Sequence, residues 1–474
     1  MGATQSISVK SPPANFDHLL LAFHDGDKLL VVHPNDEVIA CIATNIEQWW
    51  NAGIKNERTE FGDVEVFKLG GYPFDGCSMQ QSFQLKRMLC HLMSDLRYIG
   101  WQLVLTSNIK ENENTSSIFF CKTTPLKQKK ELVCLSMSSS DVLQVVNADK
   151  HLRDALKSKL KQIAPEWSAA ETVGRDSLEV ELKDELWKPK TEEMSIRAKS
   201  LLLATIRQFY HLGYSLYGTA NPKGNNDCLF FQKEPGAYFA EVMLLAVQGV
   251  DELRLFGAPE QVRHMVRNCV IDNWDPTIVE SSHHQEPYFL TLSEKPWASG
   301  GDKDLYSKLF VLQLFKSLRE IGWTVQAGLN TSLANTERTA FLLTKESPED
   351  LPHLCLAPIG EANLRIIQFD DPEVGKIVVD CYKKYWHRGV DKFEEHPKLE
   401  NALEVYMFGK LWNCGSRNEM VLAQESFLLL VFELRKFGWV PCASACLNMK
   451  HRDSTDADSS IWADVDAVFF VKLS

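Results

Sequence analysis

A glycine followed by an aromatic residue closes an apolar, helix-spaced run four times in this 474-residue chain, at Gly100-Trp101, Gly213-Tyr214, Gly322-Trp323 and Gly438-Trp439. A helix that ends in a left-handed residue favours one without a Cβ, and the aromatic side chain can then turn into a core as a strand begins. After each stop come a hairpin and a strand ending on two apolar residues, a spacer and a lysine: Phe119-Phe120-Cys121-Lys122, Phe230-Phe231-Gln232-Lys233, Leu342-Leu343-Thr344-Lys345 and Phe469-Phe470-Val471-Lys472. Upstream, Phe74, Trp187, Trp297 and Trp412 stand 26, 26, 25 and 26 residues before the glycine. Such spacing marks an internal repeat, which has to be found before any other fold argument. The period of roughly 110 residues is far longer than a solenoid unit and long enough for each copy to bury a core.

The first copy sets the pattern. Leu19–Ala22 and Leu29–Val32 read as a hairpin around Gly26-Asp27. Val38, Ile39, Ile42, Ile46, Trp49 and Trp50 fall at helical spacing behind the capping residues Asn35 and Asp36. Val64, Val66 and Leu69 alternate as a strand. Phe83, Leu85, Met88, Leu89, Leu92, Met93 and Leu96 form an amphipathic helix before Gly100. The expected fold is therefore α+β: four tandem copies of a β-β-α-β-α-β-β unit, each a mostly antiparallel sheet with two helices packed on one face. The boundaries read as an N-terminal segment 1–15 and repeats at 16–124, 131–234, 238–345 and 354–474. Linkers this short imply copies packed against one another. The last hairpin of copy four is longer, and Arg452, Asp453, Asp456, Asp458, Asp464 and Asp466 are expected in an exposed loop.

Composition excludes several classes. The net charge of −12 leaves no basic stripe for nucleic acid. Twelve cysteines are scattered without a CxxC pair, mostly inside apolar runs, which suits a reducing cytosol. No apolar run reaches the roughly 20 residues that span a bilayer. The chain lacks a P-loop, a GxGxxG after a strand, HExxH and GxSxG.

The remaining candidates are weak when weighed singly. Cys442, Cys446 and His451 have only loosely metal-like spacing. The run from Asp453 to Ser460 lacks the glycine and closing glutamate of a calcium loop. His283-His284, Cys90-His91, and Cys381 with His387 each need a spatial partner that spacing cannot supply. The recurrent tryptophans read as core or inter-copy packing, with an aromatic peptide groove as the alternative.

Met1-Gly2-Ala3-Thr4-Gln5-Ser6 resembles the N-myristoylation signal, with serine four residues after Gly2. The expected function is a non-enzymatic protein-interaction scaffold, reversibly tethered to a membrane through a myristoylated Gly2, with other proteins as partners. It would be cytoplasmic, partly at the cytoplasmic face of a membrane. The alternative is a ligand-binding or enzymatic protein with a site formed between repeats. Gly2 is the one site residue assigned; no catalytic residue, cofactor or metal is expected.

Overall fold

The computed structural model describes residues 12–13, 15–59, 63–75, 78–110, 115–165, 170–173, 175–224, 226–234, 240–274, 277–280, 286–298, 302–333, 337–367, 371–447 and 465–473. Copy one runs β1 (His18–His24), β2 (Lys28–Val32), α1 (Asp36–Trp49), β3 (Ile54–Thr59), β4 (Val64–Leu69), α2 (Met79–Tyr98), β5 (Trp101–Ser107) and β6 (Ser117–Lys122). Copy two repeats the order with β7 (Leu132–Ser138), β8 (Val142–Val146), α3 (Lys150–Ile163), β9 (Ala170–Val173), β10 (Ser177–Glu181), α4 (Glu192–His211), β11 (Tyr214–Ala220) and β12 (Cys228–Lys233). Copy three has β13 (Val242–Gln248), β14 (Glu252–Phe256), α5 (Glu260–Asn273), β15 (Val279–Glu280), β16 (Tyr288–Thr291), α6 (Asp302–Glu320), β17 (Trp323–Leu329) and β18 (Glu337–Lys345). Copy four has β19 (His353–Ile359), β20 (Asn363–Ile367), α7 (Pro372–Tyr385), β21 (Val390–Glu395), β22 (Ala402–Met407), α8 (Arg417–Lys436), β23 (Trp439–Ala445) and β24 (Ala467–Lys472).

The α+β repeat is as the pattern predicts: four antiparallel sheets, each with two helices of its own. Each copy carries one strand more than the apolar pattern reveals. The extra strand (β3, β9, β15 or β21) pairs on one side only, at the outer end of its sheet. Outer strands face water, so they lack the alternation that betrays a strand. Lys55 and Asn56 of β3, and Asp391 to Glu395 of β21, are exposed. From outside inward, the first sheet orders β3-β4-β2-β1-β6-β5, and the other three copy it.

The repeated phrase has a physical basis. The four stop glycines adopt φ of 93°, 79°, 81° and 84°. The lysine at the end of each last strand lies over the aromatic ring that follows the glycine, at 5.0, 5.5, 5.8 and 5.7 Å. Lys122 Nζ also donates to the Ile99 carbonyl (3.0 Å), and Lys345 Nζ to that of Ile321. The cation thus answers both the ring face and the free carbonyls of the helix end. The upstream tryptophans Trp187, Trp297 and Trp412 donate their indole N–H to the carbonyls of Val142, Glu252 and Asn363, at the equivalent start of each second strand.

The copies close into a ring. The innermost strands touch in cyclic order: β5 meets β11 and β23, and β17 meets the same two. The second helix of each copy packs on its own sheet and also on the sheet of the next: α2 on β7 and β8, α4 on β13 and β14, α6 on β19 and β20, and α8 on β1. A single apolar cluster accordingly joins Met88 and Leu92 of α2 to Cys134 and Val146 of copy two. Another joins Phe427 and Leu430 of α8 to Leu20 and Leu30 of copy one. The cores therefore lie between copies, where the length of each repeat alone suggested a core within each. This arrangement explains why the sheets are buried on both faces, and why α8 is buried almost without interruption from Val421 to Phe432.

Among the described residues, a backbone latch repeats at three of the four junctions. The residue before the last strand of one copy holds the residue after the inner strand of the next. Ser116, Asp227 and Asp466 donate N–H to the carbonyls of Asn221, Asn330 and Asn108 (2.9, 2.9 and 2.8 Å). Their side-chain oxygens accept the N–H of the same asparagines at 2.7, 2.6 and 2.7 Å. At the remaining junction the Thr339 hydroxyl donates to the Cys446 carbonyl at 3.2 Å. Asp466, expected in an exposed loop, is a latch residue, because the ring brings copy four back onto copy one.

Candidate ligand site between copies one and two

Aligning the copies on their stop glycines places Lys86, Lys199, Lys308 and Gln424 at one position, fourteen residues upstream. All four side chains are buried. The position faces the sheet of the following copy, since the second helix is covered on both sides. A buried ammonium needs compensating partners, and the junctions provide different ones.

At the junction of copies three and four, Lys308 pairs with the buried Asp304 one turn earlier. Arg365 of β20 flanks the pair at 3.8 Å and bonds Glu404 at 2.5 Å. The space beside them is only about 10 Å³. At the junction of copies two and three, Lys199 reaches Ser195 Oγ (3.3 Å) and Gln248 Oε1 (3.4 Å). Where copy four meets copy one, the lysine is replaced: Gln424 donates to Ser117 Oγ at 3.2 Å. His33 Nε2 lies 2.8 Å from Glu425 beside it.

The junction of copies one and two is built differently. Ser82 stands where copy three has Asp304. Lys86 donates to Gln144 Oε1 and to Ser138 Oγ (3.3 Å), and Gln144 passes its own N–H to Glu179 at 2.7 Å. Lys86 opens onto a cavity of about 280 Å³. Its walls come from the start of α2 (Met79, Ser82, Leu85), from the β7–β8 hairpin (Ser136 to Ser139, Val142, Gln144) and from the loop after β11 (Pro222, Lys223, Asn226). Cys228 and Leu333 complete it. No acidic side chain is among the described residues that line it.

The thiols behind this cavity are held as thiols. Hydrogen bonding to Cys134 together with burial pushes Cys228 well up, and burial does the same to Cys134. A thiolate nucleophile needs the opposite environment. In the nearby latch, burial pushes the Asp227 carboxyl up to about 8.

The candidates named from sequence do not gather here. Gly2, His283, His284, His451 and the acidic run 453–460 lie outside the described residues. His91 stacks flat on Trp49, with centroids 3.8 Å apart, and burial lowers its pKa. Cys381 sits in the copy-four core, where burial raises its pKa, while His387 turns to Glu419 at 3.6 Å. Cys442 donates to the Phe469 carbonyl and is pushed up to about 12 by burial. Among the described residues no cluster of His, Cys, Asp or Glu could hold a metal, and no helix is long and apolar enough to cross a membrane. The tryptophans Trp50, Trp187, Trp297, Trp386 and Trp439 are fully buried. Reading the sequence copy by copy missed Lys86. A lysine in an apolar helix reads as solvated, and only its recurrence fourteen residues before each stop could have flagged it.

One family's sequence profile, describing a single domain, matches the chain four times, over residues 17–122, 131–232, 241–344 and 352–470. No curated protein and no solved structure matches the chain.

Proposed function

The chain belongs to the family of this repeated domain, and on that premise we propose that it is a non-enzymatic interaction scaffold, tethered reversibly to a membrane by myristoylation of Gly2. The observation that carries this reading is the contrast between frame and rim. Stop glycine, lysine-capped aromatic ring and latch recur in the copies as a common frame. The rim strands diverge: β21 presents Phe393 at 50% exposure among charged neighbours, and β15 has only two residues. Four different edges on one frame suit several protein partners held at high effective concentration. A single acyl chain gives only marginal, reversible binding, so membrane residence would depend on those partners.

Affinity capture from membrane and soluble fractions tests both parts. Gly2→Ala should move the protein to the soluble fraction, and Phe393→Glu should remove a subset of captured proteins without altering thermal stability. Unchanged fractionation would remove the tether, and an unchanged captured set would remove the rim as a docking surface.

A second reading is favoured by a specific observation. The cavity beside Lys86, walled by copies one and two and by Leu333 of copy three, is of a size that suits a small ligand, and this supports reading the protein as ligand-binding alongside whatever its rim engages.

A further inference from the structure

We infer that the cavity between copies one and two holds a small planar ring carrying an amide edge, a carbonyl beside an N–H, which Asn226 recognises; this rests on the ligand-binding reading above. Asn226 stands on the cavity wall and is 6% exposed, and neither atom of its side-chain amide has a hydrogen-bond partner among the described residues. Buried polar groups without partners are uncommon. On the same wall the Gln144 amide is engaged at both ends: its oxygen accepts from Lys86, and its N–H reaches Glu179 at 2.7 Å.

Other copies fill the same position without leaving it open. It lies seven residues before the lysine that ends the last strand, and its counterparts in copies one and four are Thr115 and Val465. Thr115 donates its hydroxyl to the Phe23 carbonyl at 3.1 Å, and Val465 packs into an apolar cluster. Copy two instead buries an amide there with nothing among the described residues to meet it. The chain is pinned directly beside this amide. The Asp227 N–H donates to the Asn330 carbonyl at 2.9 Å, and the Asp227 carboxyl accepts the Asn330 N–H at 2.6 Å. A group held in place before a ligand arrives costs less to order on binding.

The chemistry of the amide selects the ligand. It offers donors and an acceptor in one plane. The group that answers both is a coplanar acceptor and donor, as when asparagine reads a nucleobase edge through two parallel bonds. A carboxylate or a phosphate dianion offers acceptors alone and would leave the Asn226 oxygen unanswered. Met79, Leu85, Met137 and Leu333 supply apolar wall for the body of the ligand, and thioether sulfur packs favourably against aromatic rings. Met79 is 57% exposed, an apolar side chain left to water beside the space. At about 280 Å³ the cavity lies just under the ~300–1,000 Å³ usual for ligand pockets, which limits the ligand to a small ring system.

The test uses the full chain and isothermal titration with 2-pyridone, its N-methyl derivative, acetamide and glycerol. The variants are Asn226→Ala and Leu333→Trp, the second narrowing the cavity from the side of copy three. Thermal unfolding without ligand comes first: Asn226→Ala should be at least as stable as the parent, and a marked loss would show that the amide already has a partner and overturn the proposal. The expected result is binding of 2-pyridone that weakens at least tenfold in Asn226→Ala and in Leu333→Trp. The N-methyl derivative, which lacks the N–H, should bind the parent at least tenfold more weakly, acetamide more weakly still, and glycerol not at all. Equal affinity for acetamide would overturn the ring while supporting the amide edge. Variant-sensitive binding of the N-methyl derivative or of glycerol as tight as that of 2-pyridone would overturn the amide edge and leave the ligand-binding reading standing. Absence of variant-sensitive binding by every probe would overturn the proposed ligand and count against the ligand-binding reading itself.

Discussion

Gly322 and Gly213 occupy the same position in two copies and share a left-handed backbone, yet their surroundings differ. A Cβ on Gly322 would lie 2.5 Å from the Glu346 carbonyl oxygen, whereas one on Gly213 would meet only the Glu234 oxygen at 3.8 Å. Gly213→Ala should cost about 1–2 kcal/mol of stability from backbone strain alone. Gly322→Ala should cost measurably more, because backbone must shift as well; denaturant unfolding of the two variants compares them. Asp227 allows a second test at this scale. Its carboxyl titrates near 3.8 when unfolded and near 8 in the buried latch. Between those values the folded state keeps a proton that the unfolded chain has released. The contribution of this group is therefore fully present below pH 4 and is lost as pH rises to about 8, at roughly 1.4 kcal/mol per unit. Asp227→Asn keeps an oxygen for the Asn330 N–H and should flatten that slope, making the variant the more stable protein at pH 7.5. Thermal unfolding from pH 4 to 8 measures it, and an unaltered slope would contradict the assignment. The stop glycines were legible from spacing. The buried carboxyl was not, because Asp227 follows the polar stretch Asn221-Pro222-Lys223-Gly224, which reads as solvated.

At the scale of elements, the second helix of each copy is the informative one. Its periodicity predicted an apolar stripe facing one sheet. In the ring it has sheets on two sides, so polar positions within it become interface positions. Asp304→Asn should then cost roughly 3–5 kcal/mol, since it strands the Lys308 ammonium in a buried junction beside Arg365. Chemical denaturation reads this directly, and a loss below about 1 kcal/mol would show that the pair is not the compensation it resembles. The rim strands make the complementary point. The fifth strand of each sheet from the axis was legible as alternation, as at Val64, Val66 and Leu69, whereas the sixth was not. Beside it Lys55 and Asn56 face water, and charge there discourages pairing with another chain.

For the whole molecule, closure matters most. The axis is crowded enough that Gly328 approaches the next copy closely: a Cβ there would lie 2.2 Å from the Ser444 carbonyl oxygen. Because α8 covers the outer face of the first sheet and α6 covers that of the fourth, no copy can leave without uncovering two apolar surfaces. A chain ending at residue 350 should therefore be insoluble or should lose cooperative unfolding, while the full chain unfolds in one transition. A soluble, cooperatively folded three-copy protein in sedimentation and calorimetry would refute this dependence. The candidate ligand site is a product of the same closure, since its walls come from helix α2 of one copy, the hairpin and loop of the next, and Leu333 of a third.

Local chemistry fixed the repeat: a glycine where a helix must end in a left-handed residue, an aromatic ring to begin the strand, and a lysine to meet both. Those requirements act over a few residues, so they are written in the sequence wherever they occur. Tertiary structure alone decided that four copies close on themselves, that each core belongs to two copies, and that Lys86 lines a cavity far larger than the space beside Lys308. Burial is a property of what packs against a surface, and the helix that faces a second sheet carries no periodic sign of the sheet that arrives from a hundred residues away.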